Sequence, residues 1–191
     1  MNIIEYQQRN TGRDIISYPD FINWIDQLVE SGSTSGLNQS EALVQFTKLN
    51  LSRMLRIHKT FIVDAAWRAL SKEGFRKQQW VVITEAWCGD SAQILPIIHK
   101  ISENSQGKIE LNIVLRDQHP ELMEKYHTNG SRSIPKLIAF DEQGNELFAW
   151  GPRPVPAQLL FANWKKILRD AHGKILKKRS IPGMQKIKEI P

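Results

Sequence analysis

Cysteine is nearly absent: Cys88 stands alone in 191 residues. A single thiol excludes an intramolecular disulfide and any thiolate metal cluster built within one chain. Histidine is sparse too. His58, His99, His119, His127 and His172 show no ligand spacing, so each is expected to be structural or exposed, and no metal is expected. Long apolar runs are missing, and the opening Met1-Asn2-Ile3-Ile4-Glu5 has no signal-peptide pattern, which predicts a cytoplasmic chain without a membrane span. There is no phosphate-binding glycine loop and no serine-hydrolase elbow.

The chain has 41% hydrophobic and 24% charged residues, enough apolar material for one good core with extensions. Its net charge of +6 is concentrated late: Lys174, Lys177, Lys178, Arg179, Lys186 and Lys188 face only Glu189. Such a run attracts acidic partners, but a solvated tail explains it, and nucleic acid is not an expected partner. The tryptophans Trp24, Trp67, Trp80, Trp150 and Trp164 read as core or interface residues rather than base-stacking platforms.

Residues 1–75 read as helical. Pro19 and Asp20 open a helix that ends in the Ser31–Gly36 loop, and Asn38 is placed to cap a second whose apolar face runs from Leu43 to Ile57. A third is expected to carry Phe61, Ile62 and Trp67. From Gln79 the pattern becomes β-α-β-α-β-β-α. Strands are predicted at 80–84, 109–115, 136–140 and 146–150, and the final helix at 157–171. A helix joining the first two strands implies a parallel, right-handed crossover, and the last pair reads as a hairpin.

Between the first strand and its helix lies Trp87-Cys88-Gly89-Asp90-Ser91. Pro96 follows eight residues after the cysteine, Asp117-Gln118-His119-Pro120 after the second strand, then Lys125-Tyr126 and Ser133-Ile134-Pro135 ahead of the hairpin and Gly151. In this order and spacing the segment 78–171 resembles the thioredoxin superfamily, and with its helical leader it resembles a bacterial branch of thioredoxin-family proteins. The resemblance implies an α/β thioredoxin fold, a central mixed sheet flanked by helices, with an all-helical N-terminal extension. The expected division is 1–75 extension, 76–172 thioredoxin-like domain and 173–191 basic tail.

The resemblance further implies that Cys88 is the reactive thiol, that Pro135 is a cis-proline, and that the backbone of Ile134 pairs with an extended substrate beside an apolar rim of Trp87, Ile134 and Gly151. A cysteine at a helix N-terminus is stabilised as thiolate, so Cys88 is expected to be acidic and partly exposed. Asp90 opposes the thiolate while favouring the helix end. Ser91 replaces the resolving cysteine and cannot complete a two-thiol cycle; it either donates to the thiolate or caps the helix. Val82 and Ile113 stand where thioredoxins usually carry a buried Asp and its lysine.

Three readings follow. The first is a monothiol exchange protein that forms mixed disulfides with a protein or low-molecular-weight thiol and needs an external thiol for release. The second is a non-catalytic binding module. The third draws on the Cys-Gly-Phe-Ser site of monothiol glutaredoxins, which share an iron–sulfur cluster. Trp87 and Asp90 depart from that pattern, as does the missing Gly-Gly-Cys-Asp segment near Trp150-Gly151. No cofactor is therefore expected.

Overall fold

The computed structural model describes residues 15–72 and 75–179. It divides into two units, Met1–Arg153 and Pro154–Pro191. The first holds helices α1 (Tyr18–Glu30), α2 (Glu41–Thr60) and α3 (Ala65–Lys72), strand β1 (Gln78–Thr84), helix α4 (Gly89–Glu103), strand β2 (Ile109–Leu115), helix α5 (Pro120–Lys125), and strands β3 (Lys136–Asp141) and β4 (Glu146–Trp150). The second holds α6 (Val155–Arg179).

Local chemistry accounts for the helix starts. Ser17 caps α1 by accepting the Asp20 N–H at 3.2 Å, with Pro19 in the first turn where no amide partner is missed. In α2 the expected cap is corrected. Asn38 Oδ1 accepts the Ser40 N–H at 3.1 Å, so its side chain is consumed by a turn two residues on, and Ser40 takes the cap position. The apolar face of α2 is also narrower than predicted: Leu51, Met54 and Ile57 are buried, while Phe46 and Leu55 are exposed. Phe61 ends α2 and Ile62 lies in the connection, so neither belongs to α3. Trp67 does, and its Nε1 donates to the Ile101 carbonyl at 3.2 Å, tying α3 to α4.

The sheet has the order β2-β1-β3-β4, with β1 parallel to β2 and antiparallel to β3, and β4 closing the hairpin. Side chains alternate faces along β1. Trp80 and Val82 join Ile113 and Ala139 under α1, α2 and α4, where Phe21, Ile25, Met54 and Leu95 complete the core. Val81 and Ile83 join Val114, Ile138 and Phe140 on the opposite face, with Leu122 and Met123 of α5. Val82 and Ile113 are register partners and fully buried, so this position is apolar on both strands. Ahead of α1, Ile16 exchanges two backbone hydrogen bonds of 2.9 Å with Ile113, covering the β2 edge. The helical extension and the sheet therefore share one core.

Helix α6 runs through Gly173 to Arg179, past the predicted end at 171. A lone glycine costs a helix only about 1 kcal/mol relative to alanine, and helix-forming residues surround this one. The tail beyond residue 179 lies outside the described residues.

Burial, then the Glu103 carboxylate, pushes the Tyr18 hydroxyl well above its ordinary value; burial, then the hydrogen bond to Glu146, does the same for Tyr126. Above the unfolded tyrosine value the native state then binds more protons than the unfolded chain, so stability falls as pH rises. The urea midpoint should drop between about pH 8 and about pH 11. An unchanged midpoint contradicts the burial of these hydroxyls.

Candidate functional site

Cys88 is the residue that caps α4. Its backbone is extended (φ −77°, ψ 110°), so Sγ turns back over the first turn and accepts the Ser91 N–H at 3.5 Å. The thiol donates to the Ile134 carbonyl at 3.4 Å. Only 6% of the residue is exposed, which corrects the expectation of a partly exposed, acidic thiol. Burial pushes the Cys88 thiol up, and the Asp90 carboxylate adds to this. The Ser91 hydroxyl and the Ser91 and Asp90 amides pull the other way without winning. Desolvating a thiolate outweighs what a helix terminus returns.

Ser91 is fully buried and is not the cap. Thr84 Oγ1 donates to Ser91 Oγ at 2.6 Å, which leaves the Ser91 hydrogen free for the sulfur. The Ser91 side chain therefore does not cap the helix, and its hydroxyl is one of the groups that pull the Cys88 thiol down. Ser91→Ala should move the thiol further up and slow alkylation of Cys88 severalfold at neutral pH, read by iodoacetamide labelling and mass spectrometry. Equal labelling in both proteins contradicts the hydrogen bond.

The loop facing the thiol is shaped by backbone. The Ile134–Pro135 peptide is cis, as is Gly151–Pro152. Gly151 has φ +122°, and a Cβ there would lie 2.2 Å from the Pro135 carbonyl oxygen, so only glycine lets the end of β4 approach this loop. Ile134 is buried rather than forming an open rim, while Trp87 and Gly151 are half-buried. Lys136, next to Pro135, is also buried. Its Nζ donates to Thr128 Oγ1 at 2.6 Å and to the Gly151 carbonyl at 3.4 Å, and burial pushes its ammonium down.

Charge surrounds the motif. The Arg116 guanidinium carbon stacks 4.8 Å from the Trp87 ring centroid while Nε holds Asp117 Oδ1 at 2.8 Å. Arg153 grips Asp90 with two nitrogens, Nε to Oδ1 at 2.8 Å and Nη2 to Oδ2. Nothing in the local sequence marks either arginine as part of the site.

The extension reaches the same loop. Ser35 Oγ accepts the Ala86 N–H at 2.9 Å, and Asn50 Nδ2 donates to the Ala86 carbonyl at 3.0 Å, so both peptide groups of the residue two before Cys88 are held by residues from before the sheet. Ser35 also donates to Glu85 Oε2, and the Asp117 amide donates to Glu85 Oε1 at 2.9 Å. Burial pushes the Glu85 carboxyl up against these two hydrogen bonds. Asn50 and Glu85 are fully buried. Among the described residues no group of three or more His, Cys, Asp or Glu side chains is arranged to hold a metal ion. His58 and His99 instead stack with Tyr18, at ring-centroid distances of 5.9 and 4.0 Å respectively.

This strand, cysteine-capped helix and facing proline loop match a family profile described as Thioredoxin over residues 36–165. The chain belongs to the thioredoxin family. Thioredoxin 1 of Nostoc is 35% identical over 54 residues, which cover 28% of this chain and 48% of that protein. A thioredoxin of Rickettsia conorii is 32% identical over 75 residues, covering 34% and 69%. The chain spans about half the length of the first curated relatives it matches. A crystal structure of a protein of unknown function from Pseudomonas aeruginosa aligns with 85% of this chain and 96% of its own, at 19% identity and a TM-score of 0.49. The profile match begins at residue 36, ahead of α2, so it takes in part of the helical extension. No helix among the described residues is long and apolar enough to cross a membrane.

Proposed function

We propose that this protein is a monothiol exchange protein that forms mixed disulfides through Cys88 in the motif Trp87-Cys88-Gly89-Asp90-Ser91. The observation that carries the reading is the seating of Sγ: it caps α4, receives the Ser91 amide, and points at the carbonyl of Ile134 beside Pro135. In the proposed step Cys88 gives up its proton and its thiolate attacks one sulfur of a disulfide. A Cys88–substrate S–S bond forms, the substrate's own S–S bond breaks, and the departing sulfur takes up a proton. An external thiol then attacks the mixed disulfide and releases Cys88. Ser91 holds the thiolate by hydrogen bonding and takes no part in resolution. Ile134, Pro135 and Gly151 present backbone to an extended substrate, with Trp87 flanking it. No cofactor takes part, and a cytoplasmic setting suits a lone thiol.

Burial of the thiol favours a second reading, a binding module that uses the same loop without chemistry. Cys88→Ser separates the two. The monothiol reading expects capture of a peptide disulfide to vanish in this variant, whereas the binding reading expects partner affinity to survive it and wild-type protein to capture nothing.

A further inference from the structure

Three arginines surround the start of α4, and two of them are neutralised: Arg116 by Asp117 and Arg153 by Asp90. The third, Arg53 of α2, pairs with no carboxylate among the described residues. It is half-buried, and Nη1 donates to Asn50 Oδ1 at a long 3.4 Å. A Cβ on Gly89 would sit 3.8 Å from that same nitrogen, so the guanidinium lies against the residue that follows Cys88. Asn50 is fully buried, and its amide is used at both ends, Nδ2 on the Ala86 carbonyl and Oδ1 on Arg53. One side chain thus fixes both the approach to Cys88 and the direction of the guanidinium.

A half-buried guanidinium without a carboxylate has lost part of its hydration and has donors to spare, and its planar fork matches a carboxylate. We infer that Arg53, oriented by Asn50, receives a carboxylate of the incoming disulfide, so that Cys88 exchanges preferentially with carboxylate-bearing disulfides. The inference rests on the monothiol reading and deepens it. It also gives the extension a part in the site: Arg53 is a specificity residue and Asn50 a positioning residue. The chemical step is the exchange written above, with Arg53 touching the substrate's carboxylate rather than the reacting sulfurs.

The test measures mixed-disulfide formation on the full chain by intact mass, using oxidised glutathione, which carries carboxylates, and cystamine, which carries only ammonium groups. The two rates are expressed as a ratio for wild type, Arg53→Gln and Arg53→Lys. Arg53→Gln should lower the glutathione-to-cystamine ratio about fivefold, the upper range for a solvent-accessible ion pair. Most of that change should come from slower reaction with glutathione. Arg53→Lys should recover part of the preference, and high salt should shrink it in wild type but not in Arg53→Gln. A merely structural role for Arg53 changes both rates together and leaves the ratio fixed, which overturns the inference. If wild-type Cys88 adds neither disulfide, the monothiol reading itself fails and the inference falls with it.

Discussion

Gly151→Ala is expected to destabilise the protein by at least about 3 kcal/mol, the upper end of the ordinary range for single substitutions, and to remove the reactivity of the site with it. Two costs fall on one residue. A side chain at φ +122° is strained wherever it stands, and this Cβ would lie 2.2 Å from the Pro135 carbonyl oxygen, which is backbone and cannot swing aside. Relief requires the end of β4 or the 134–135 loop to move. Ile134 supplies the carbonyl that the Cys88 thiol donates to, so either movement changes the surroundings of the sulfur. The contact from Lys136 Nζ to the Gly151 carbonyl, whose oxygen alanine retains, is disturbed by the same movement. Chemical denaturation followed by tryptophan fluorescence reads the first effect, and iodoacetamide labelling of Cys88 reads the second. A variant as stable as wild type would show that the close approach of Gly151 and Pro135 is not a feature of the folded protein.

The second large effect lies far from the site in sequence. Phe21→Ala should cost about 3–5 kcal/mol, because the ring is fully buried in the core shared by the extension and the sheet. If the extension were an independent appendage, the loss would be local and the sheet would unfold at its usual denaturant concentration. The shared core predicts instead one cooperative transition shifted as a whole, detected alike by far-ultraviolet circular dichroism and by tryptophan fluorescence. Separate transitions by the two probes would contradict a common core.

Much of the fold could be read from local pattern. Ile109–Leu115 and Glu146–Trp150 emerge with their predicted bounds because β-rich runs end at turn residues on both sides. The broad apolar face of α2 correctly implied docking, though it did not show which residues would remain outside. Asn38 was misread as a cap since an Asn followed by a helix suits either a cap or a turn, and only the finished backbone decides. The segment Trp87–Ser91 stands out in the sequence because its residues are neighbours. What surrounds the sulfur does not. Asn50 and Ser35 lie 36 and 51 positions from Ala86, and nothing in their local sequence marks them. The sulfur itself is buried in a cluster with Val114, Met123, Ile134 and Ile138, all distant in sequence, and the thiol's state depends on that burial. A helix terminus alone argues for an acidic cysteine, and burial by distant segments reverses the sign.

That reversal makes the central claim testable in one experiment. The time course of mixed-disulfide formation between the full chain and oxidised glutathione is followed by intact mass across the neutral to alkaline range. The account predicts a one-to-one adduct on Cys88 that an added thiol discharges, with a rate that climbs with pH and has its midpoint above that of a free thiol. Absence of any adduct across that range, from a folded protein whose Cys88 labels readily once denatured, would contradict it.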